Sequence, residues 1–325
     1  VIDVAVVGAG PCGIAAAIAA KRAGLYAVTF DRSCLVSGIY GYPTDLVFFS
    51  TPEKLAIGGI PFVCAAEKPT RRDGLAYYRA VAAHYALELR QYEDVERIVP
   101  EAGGFTLHTR RLGGEARTER AKAVVVATGY FGRPNLLNVP GEDLPHVTHF
   151  FHEGHEAFAQ DVVVVGGANS AVGAALDLHH AGARVTIVHF GPGLDSNIKP
   201  WVLPDITGRL NEGSIKSCFE SRVTQIESDH VTITSPRGIE RIPARHVYLM
   251  LGFQPNTALL EQLGVPMDPE TGIPQHDPAT METNIPGIFI AGVLTSGNAA
   301  NKTFIENGRH HGDLIAARLT HAHSH

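Results

Sequence analysis

An α/β fold is predicted by three observations. A β-branched strand, a glycine-rich loop, an alanine-rich helix and a second strand occur in that order twice, with the first glycines at Gly8 and Gly166. Between the copies an apolar run, Val124-Val125-Val126, ends in Ala127-Thr128-Gly129. A late run, Gly287-Ile288-Phe289-Ile290, ends in Ala291-Gly292. We read two Rossmann-like dinucleotide-binding domains, the second inserted in a discontinuous first. Residues 1–147 and 255–325 make the first domain, and residues 148–254 the second.

In the first copy the strand Val4-Ala5-Val6-Val7 leads into Gly8-Ala9-Gly10-Pro11-Cys12-Gly13. Ile14 and a run rich in alanine form the helix, and Gly24 suits the position just past its end. Ala27-Val28-Thr29-Phe30 is the next strand and Asp31 closes it. Gly8 permits the tight turn, Gly10 lets a pyrophosphate approach the backbone, and Gly13 lets helix and strand pack closely. The helix start offers free N–H groups and the positive dipole end to phosphates. Asp31 is placed to bind ribose hydroxyls, with Arg32 beside it.

The second copy begins with Asp161 and four valines and continues as Gly166-Gly167-Ala168-Asn169-Ser170-Ala171. A helix over about 172–180 stops at Gly182, and the strand Arg184-Val185-Thr186-Ile187-Val188 ends at His189. Ala168 replaces the middle glycine and leaves less room for a pyrophosphate, whereas Ala171 at the third position is a tolerated variant. His189 stands where an acid would select a free 2′-hydroxyl, so a 2′-phosphate is not repelled. The nearest downstream cation is Lys199. Pro134, Pro140-Gly141 and Pro145 break up the chain before this copy, as expected of a linker.

Composition narrows the classes. Hydrophobic residues at 45% and charged residues at 18% describe a globular chain, not a disordered one. A net charge of −6 gives no basis for a nucleic-acid surface. The longest apolar run, residues 14–20, is far short of the roughly 18 residues that span a membrane. The chain opens on a strand with no basic segment of a targeting sequence. Cys12, Cys34, Cys64 and Cys218 lie far apart, without Cys-x-x-Cys or zinc spacing. Reduced thiols in the cytoplasm and no metal site are therefore expected, and the histidine-rich end, residues 321–325, is expected to be a frayed terminus.

The four glycine and Thr-Gly blocks resemble those of the two-dinucleotide-domain flavoproteins of the low-molecular-weight thioredoxin reductase type. That resemblance implies FAD in the first domain and NADPH in the inserted one. The dithiol pair of thioredoxin reductase is missing, because Phe150-Phe151-His152-Glu153-Gly154-His155 stands in its place. Val293 also replaces the aspartate of its final Ala-Gly-Asp.

A closer resemblance is to the YpdA-type family, the bacillithiol disulfide (bacilliredoxin) reductases. Gly10-Pro11-Cys12-Gly13, Ser37-Gly38-Ile39-Tyr40-Gly41-Tyr42-Pro43-Thr44, Phe48-Phe49-Ser50-Thr51-Pro52-Glu53-Lys54-Leu55 and Lys68-Pro69-Thr70-Arg71 carry it. So do Val139-Pro140-Gly141-Glu142-Asp143-Leu144-Pro145, Ile198-Lys199-Pro200-Trp201, Met281-Glu282-Thr283-Asn284 and Phe304-Ile305-Glu306-Asn307-Gly308-Arg309. The resemblance implies an FAD enzyme that uses NADPH to reduce bacillithiol disulfide, or its mixed disulfide with a bacilliredoxin, through Cys12. It also implies a homo-oligomer. FAD would contact Gly8, Gly10, Pro11, Cys12, Gly13, Asp31, Arg32, Ser37, Tyr40, Tyr42, Thr128, Gly129 and Gly292. NADPH would contact Gly166, Gly167, Asn169, Ser170, Ala171, His189 and Lys199. The family's common Tyr-Arg after the second-domain strand is His189-Phe190 here.

A single cysteine reduces disulfides by thiolate attack and a mixed disulfide. The helix dipole at Cys12 is expected to lower its pKa from about 8.5. FAD pyrophosphate at the same helix end opposes a thiolate, and a small space-filling residue is the other reading of Cys12. Residues 37–42 are expected to form a loop over the flavin, Gly38 and Gly41 allowing close approach. Other readings of the same fold are a ferredoxin–NADP reductase, a flavin monooxygenase, or a redox sensor that binds both cofactors without turnover.

Overall fold

The computed structural model describes residues 1–299 and 302–322 and divides into two compact units. The first comprises Val1–Gly41, Leu46–Arg133 and the described residues from Gln254 on; the second comprises Tyr42–Asp45 and Pro134–Phe253. Residues 323–325 of the histidine-rich end lie outside the described residues.

In the first unit, β1 (Ile2–Val7), α1 (Pro11–Arg22) and β2 (Ala27–Asp31) form the opening βαβ. The short helices α2 (Ser37–Tyr40) and α3 (Pro52–Leu55) follow, then α4 (Arg71–His84). Thr70 and Asp73 close a capping box at the start of α4. The strands β3 (Glu88–Gln91), β4 (Glu93–Glu101), β5 (Gly104–Arg111) and β6 (Ala116–Val126) complete this stretch.

The first strands of the second unit are β7 (Val147–Thr148) and β8 (Asp161–Val165), followed by α5 (Asn169–His180) and β9 (Arg184–Val188). Helix α6 (Leu203–Glu212) leads to β10 (Lys216–Cys218). A meander of β11 (Arg222–Ile226), β12 (His230–Ser235) and β13 (Gly238–Pro243) precedes β14 (His246–Leu249). Its main sheet is parallel throughout, in the order β10-β9-β8-β14-β7. Residues 134–147 are not a linker. Leu137, Val139, Leu144 and Val147 pack on the core of this unit, and Pro134 bridges Phe253. The prolines break regular structure there, while Leu137, Val139 and Leu144 between and beside them are partly buried against the core.

The chain then returns to the first unit with α7 (Ala258–Leu263), β15 (Ile288–Ile290), α8 (Ile305–Gly308) and α9 (His311–Ala322). The parallel part of the first sheet runs β3-β2-β1-β6-β15. Strand β6 turns the architecture: its first half pairs antiparallel with β5, and its second half pairs parallel with β1 and β15. Val4, Val6, Val124, Val125, Val126, Ile288 and Ile290 are almost wholly inaccessible. Burial on both faces explains why these strands are continuous apolar runs without alternation.

Helix α1 is buried continuously from Gly13 to Ala20. Small residues let it pack tightly: a Cβ on Gly312 of α9 would come within 2.6 Å of Ala16 Cα. Gly312→Ala would gain about 1 kcal/mol of helix propensity in isolation. Here it is expected to lower stability by about 1–3 kcal/mol instead, because the two backbones must separate. Denaturant unfolding of the variant checks the sign.

Candidate dinucleotide sites and the Cys12 thiol

The first glycine loop is shaped by backbone meeting backbone. Gly8 has φ +112, and a side chain there would overlap the Ala127 carbonyl. A Cβ on Gly13 would overlap the Gly8 carbonyl oxygen. Around Gly10, by contrast, an added Cβ would meet nothing within 4 Å. This open space faces the start of α1, where Pro11 occupies the first turn and early N–H groups have no intrahelical acceptor. The loop is tied to the end of β2: Ala9 N–H donates to Asp31 Oδ2 at 2.8 Å, and Ser33 N–H to Asp31 Oδ1 at 2.8 Å. Burial raises the Asp31 carboxyl above its ordinary pKa, and the two N–H donors oppose this. Each oxygen keeps a lone pair for a ribose hydroxyl. These features fit a dinucleotide such as FAD.

The other first-unit residues lie nearby in the chain's turns. Thr128 Oγ1 donates to the Asn256 carbonyl at 2.7 Å, and the Gly129 carbonyl accepts from Asn256 N–H at 2.9 Å. Arg32 packs against Gly132. Residues 37–40 form the helical turn α2, not a loop, with Ser37 N–H donating to the Cys34 carbonyl at 3.1 Å. The close approach at Gly41 is to the Phe131 ring, 2.7 Å from an added Cβ. Tyr40 is 59% exposed, its ring under Arg71, whose guanidinium also donates to the Tyr40 carbonyl. Tyr42 falls in the second unit.

The second glycine loop repeats the scheme. Gly166 has φ +138, and a Cβ there would sit 2.5 Å from the Met250 carbonyl oxygen. Ala168 caps α5 in an extended conformation, Ser170 is exposed and Ala171 is buried. Asn169 links the helix start to the following loop, donating to the Asn197 carbonyl and accepting from Lys199 N–H, both at 2.9 Å. The Lys199 ammonium lies 5.9 Å from the Trp201 ring centroid. His189 is 5% exposed and packs over Gly167. These residues fit a second dinucleotide, such as a nicotinamide dinucleotide. The stretch that replaces the dithiol pair is packing: Phe150 meets Phe253 and Phe151 meets Tyr248, each at 5.5 Å between ring centroids.

Cys12 sits in the first turn of α1 with its sulfur between two glycines. A Cβ on Gly292 would lie 3.2 Å from Sγ, and one on Gly308 would lie 2.8 Å from it. Burial pushes the thiol up to about 12. The expectation that the helix dipole lowers this pKa is thus overturned, because desolvation of the thiolate outweighs the dipole. Neighbouring His311 supplies no positive charge: its Nδ1 accepts from Gly292 N–H at 3.1 Å, and burial, with smaller contributions from His276 and His310, lowers its pKa to about 4. Gly308 and His311 were not singled out by sequence reasoning, although Gly308 falls in a segment that carried the family resemblance. All four cysteines are free thiols. Cys64 Sγ donates to the Ala66 carbonyl at 3.2 Å, and burial followed by Glu240 raises the Cys218 pKa. No cluster of three metal-ligating side chains occurs among the described residues, and no described helix is long and apolar enough to cross a membrane.

Gly13→Ala should destabilise the flavin-free protein by about 1–3 kcal/mol. Gly10→Ala should leave that stability within about 0.5 kcal/mol and instead reduce the FAD retained on purification. Unfolding curves and flavin absorbance separate the two. For His311, the unfolded chain takes up a proton below the ordinary histidine pKa of about 6.5 while the folded one resists until about 4. Stability should therefore fall as the pH drops through this window. In His311→Gln that part of the slope should vanish, as read by denaturant titrations at several pH values.

Residues 5–292 match the family described as pyridine nucleotide-disulphide oxidoreductase. The chain is 41% identical over 322 residues to bacilliredoxin reductase Bdr of Bacillus subtilis, covering 98% of each. The solved bacillithiol disulfide reductase Bdr (YpdA) of Bacillus cereus has 42% identity and a TM-score of 0.96, with 99% of both chains covered. Its Staphylococcus aureus counterpart has 39% identity and a TM-score of 0.94, covering 99% of this chain and 98% of that one. The chain belongs to the pyridine nucleotide-disulphide oxidoreductases and, within them, to the YpdA/Bdr-type bacilliredoxin reductase family.

Proposed function

We propose that this protein uses NADPH to reduce the disulfide of bacillithiol, or of a bacilliredoxin bearing bacillithiol, with FAD as the resident cofactor and Cys12 as the reacting thiol. The observation that carries the reading is the Cys12 sulfur, set between Gly292 and Gly308 at the start of the first dinucleotide helix. The similarity to Bdr proteins along nearly the whole chain supports the substrate class.

Bound FAD supplies the two-electron link between nicotinamide and sulfur. The loop 8–13, Asp31 and the Thr128-Gly129 turn would hold it. Gly166, Gly167 and Asn169 would hold NADPH. Cys12, once deprotonated, attacks one sulfur of the disulfide; a Cys12–S bond forms, the substrate S–S bond breaks, and one thiolate leaves. Two electrons then cleave the mixed disulfide and return Cys12 and the second thiol. Overall, one NADPH and one proton convert one disulfide into two thiols and NADP+. We further propose a cytoplasmic protein that assembles with copies of itself, consistent with its free thiols.

Cys12→Ala should retain FAD and NADPH oxidation by oxygen but fall to background with bacillithiol disulfide. Anaerobic NADPH consumption measures this, and retained disulfide turnover would reject the role of Cys12.

A further inference from the structure

We propose that Arg222, carried on the ring of Phe190, is the residue that recognises the 2′-phosphate of NADPH and so sets the preference over NADH. The inference rests on the reading of the second glycine loop as the nicotinamide dinucleotide site. In such sites the end of the second strand faces the adenosine ribose, where an acid binds a free 2′-hydroxyl and an arginine accommodates a 2′-phosphate. Here that strand is β9, and it is followed by His189 and Phe190 with no cation.

The fold brings a cation there from another strand. Phe190 is 63% exposed, and the Arg222 guanidinium carbon lies 5.1 Å from its ring centroid. A guanidinium on an aromatic face keeps its N–H edge free for a phosphate. Arg222 is exposed, and among the described residues its guanidinium has no hydrogen-bond or ion-pair partner. Three backbone bonds fix the pairing: His189 N–H to Cys218 O at 3.0 Å, Ser221 N–H to His189 O at 3.0 Å, and Glu220 N–H to Gly191 O at 2.8 Å.

His189 completes the surroundings. Its buried ring has no partner for Nδ1, while Nε2 faces Asp195 Oδ1 at 3.4 Å. One Asp195 oxygen is thus directed at the imidazole. Gly193, in the loop after β9, has nothing within 4 Å of an added Cβ, which leaves room for a ligand group.

The test is calorimetric titration of the FAD-loaded enzyme with NADP+, NAD+, 2′,5′-ADP and ADP, in wild type, Arg222→Ala and Arg222→Lys. Loss of one charge-assisted contact should weaken NADP+ and 2′,5′-ADP about 10- to 100-fold in Arg222→Ala. NAD+ and ADP should bind as before, and Arg222→Lys should recover part of the loss. In turnover, KM for NADPH should rise with kcat unchanged. Equal weakening of all four ligands would show a merely structural role and overturn the proposal, as would unchanged NADP+ binding. Wild type that binds none of the four would overturn the parent reading, and with it this one.

Discussion

The contact on which the site depends is the seating of Gly13 on the Gly8 carbonyl, backed by Gly8 against Ala127. No side chain fits at either junction, so α1 is drawn hard onto the crossing of β1 and β6. Beside that seating, space is left open at Gly10. Helix α9 closes the other side through Gly312 on Ala16, and the same compression places Gly292 and Gly308 around the Cys12 sulfur. Close packing thus positions a cradle and a thiol together, with few polar groups involved.

Two effects compete at Cys12, and their magnitudes decide the outcome. A helix N-terminus favours an anion by about 0.3–1 kcal/mol, less than one tenfold factor in the thiol–thiolate equilibrium. Burial pushes the thiol up to about 12, and neighbouring His311 supplies no offsetting charge because burial lowers its own pKa to about 4. A protonated thiol is a poor nucleophile.

Much of the fold was legible in the sequence for a physical reason. Strands buried on both faces must be unbroken apolar runs, and the two glycine loops mark where backbone approaches backbone. Cys12, Asp31 and Asn169 could be singled out as candidates because they sit inside those local patterns. The stretch around Pro134, Pro140 and Pro145 was misread because proline reports local conformation, not burial; Leu137, Val139 and Leu144 between them are packed. The short helix at Ser37–Tyr40 was misread as a loop because its glycines serve contact with Phe131. Arg222 and His311 were not legible as neighbours of β9 and of Gly292. Only the pairing of β9 with β10, and the path of α9, bring them there.

The account stands on one chain holding FAD and NADPH in two loops of the same design. The most direct measurement is the visible absorbance of the purified protein, followed under anaerobic conditions as NADPH is added. The account predicts a flavin band corresponding to one FAD per chain that bleaches stoichiometrically with NADPH. Protein that is colourless after incubation with FAD, or a flavin band that NADPH leaves unchanged, would contradict it.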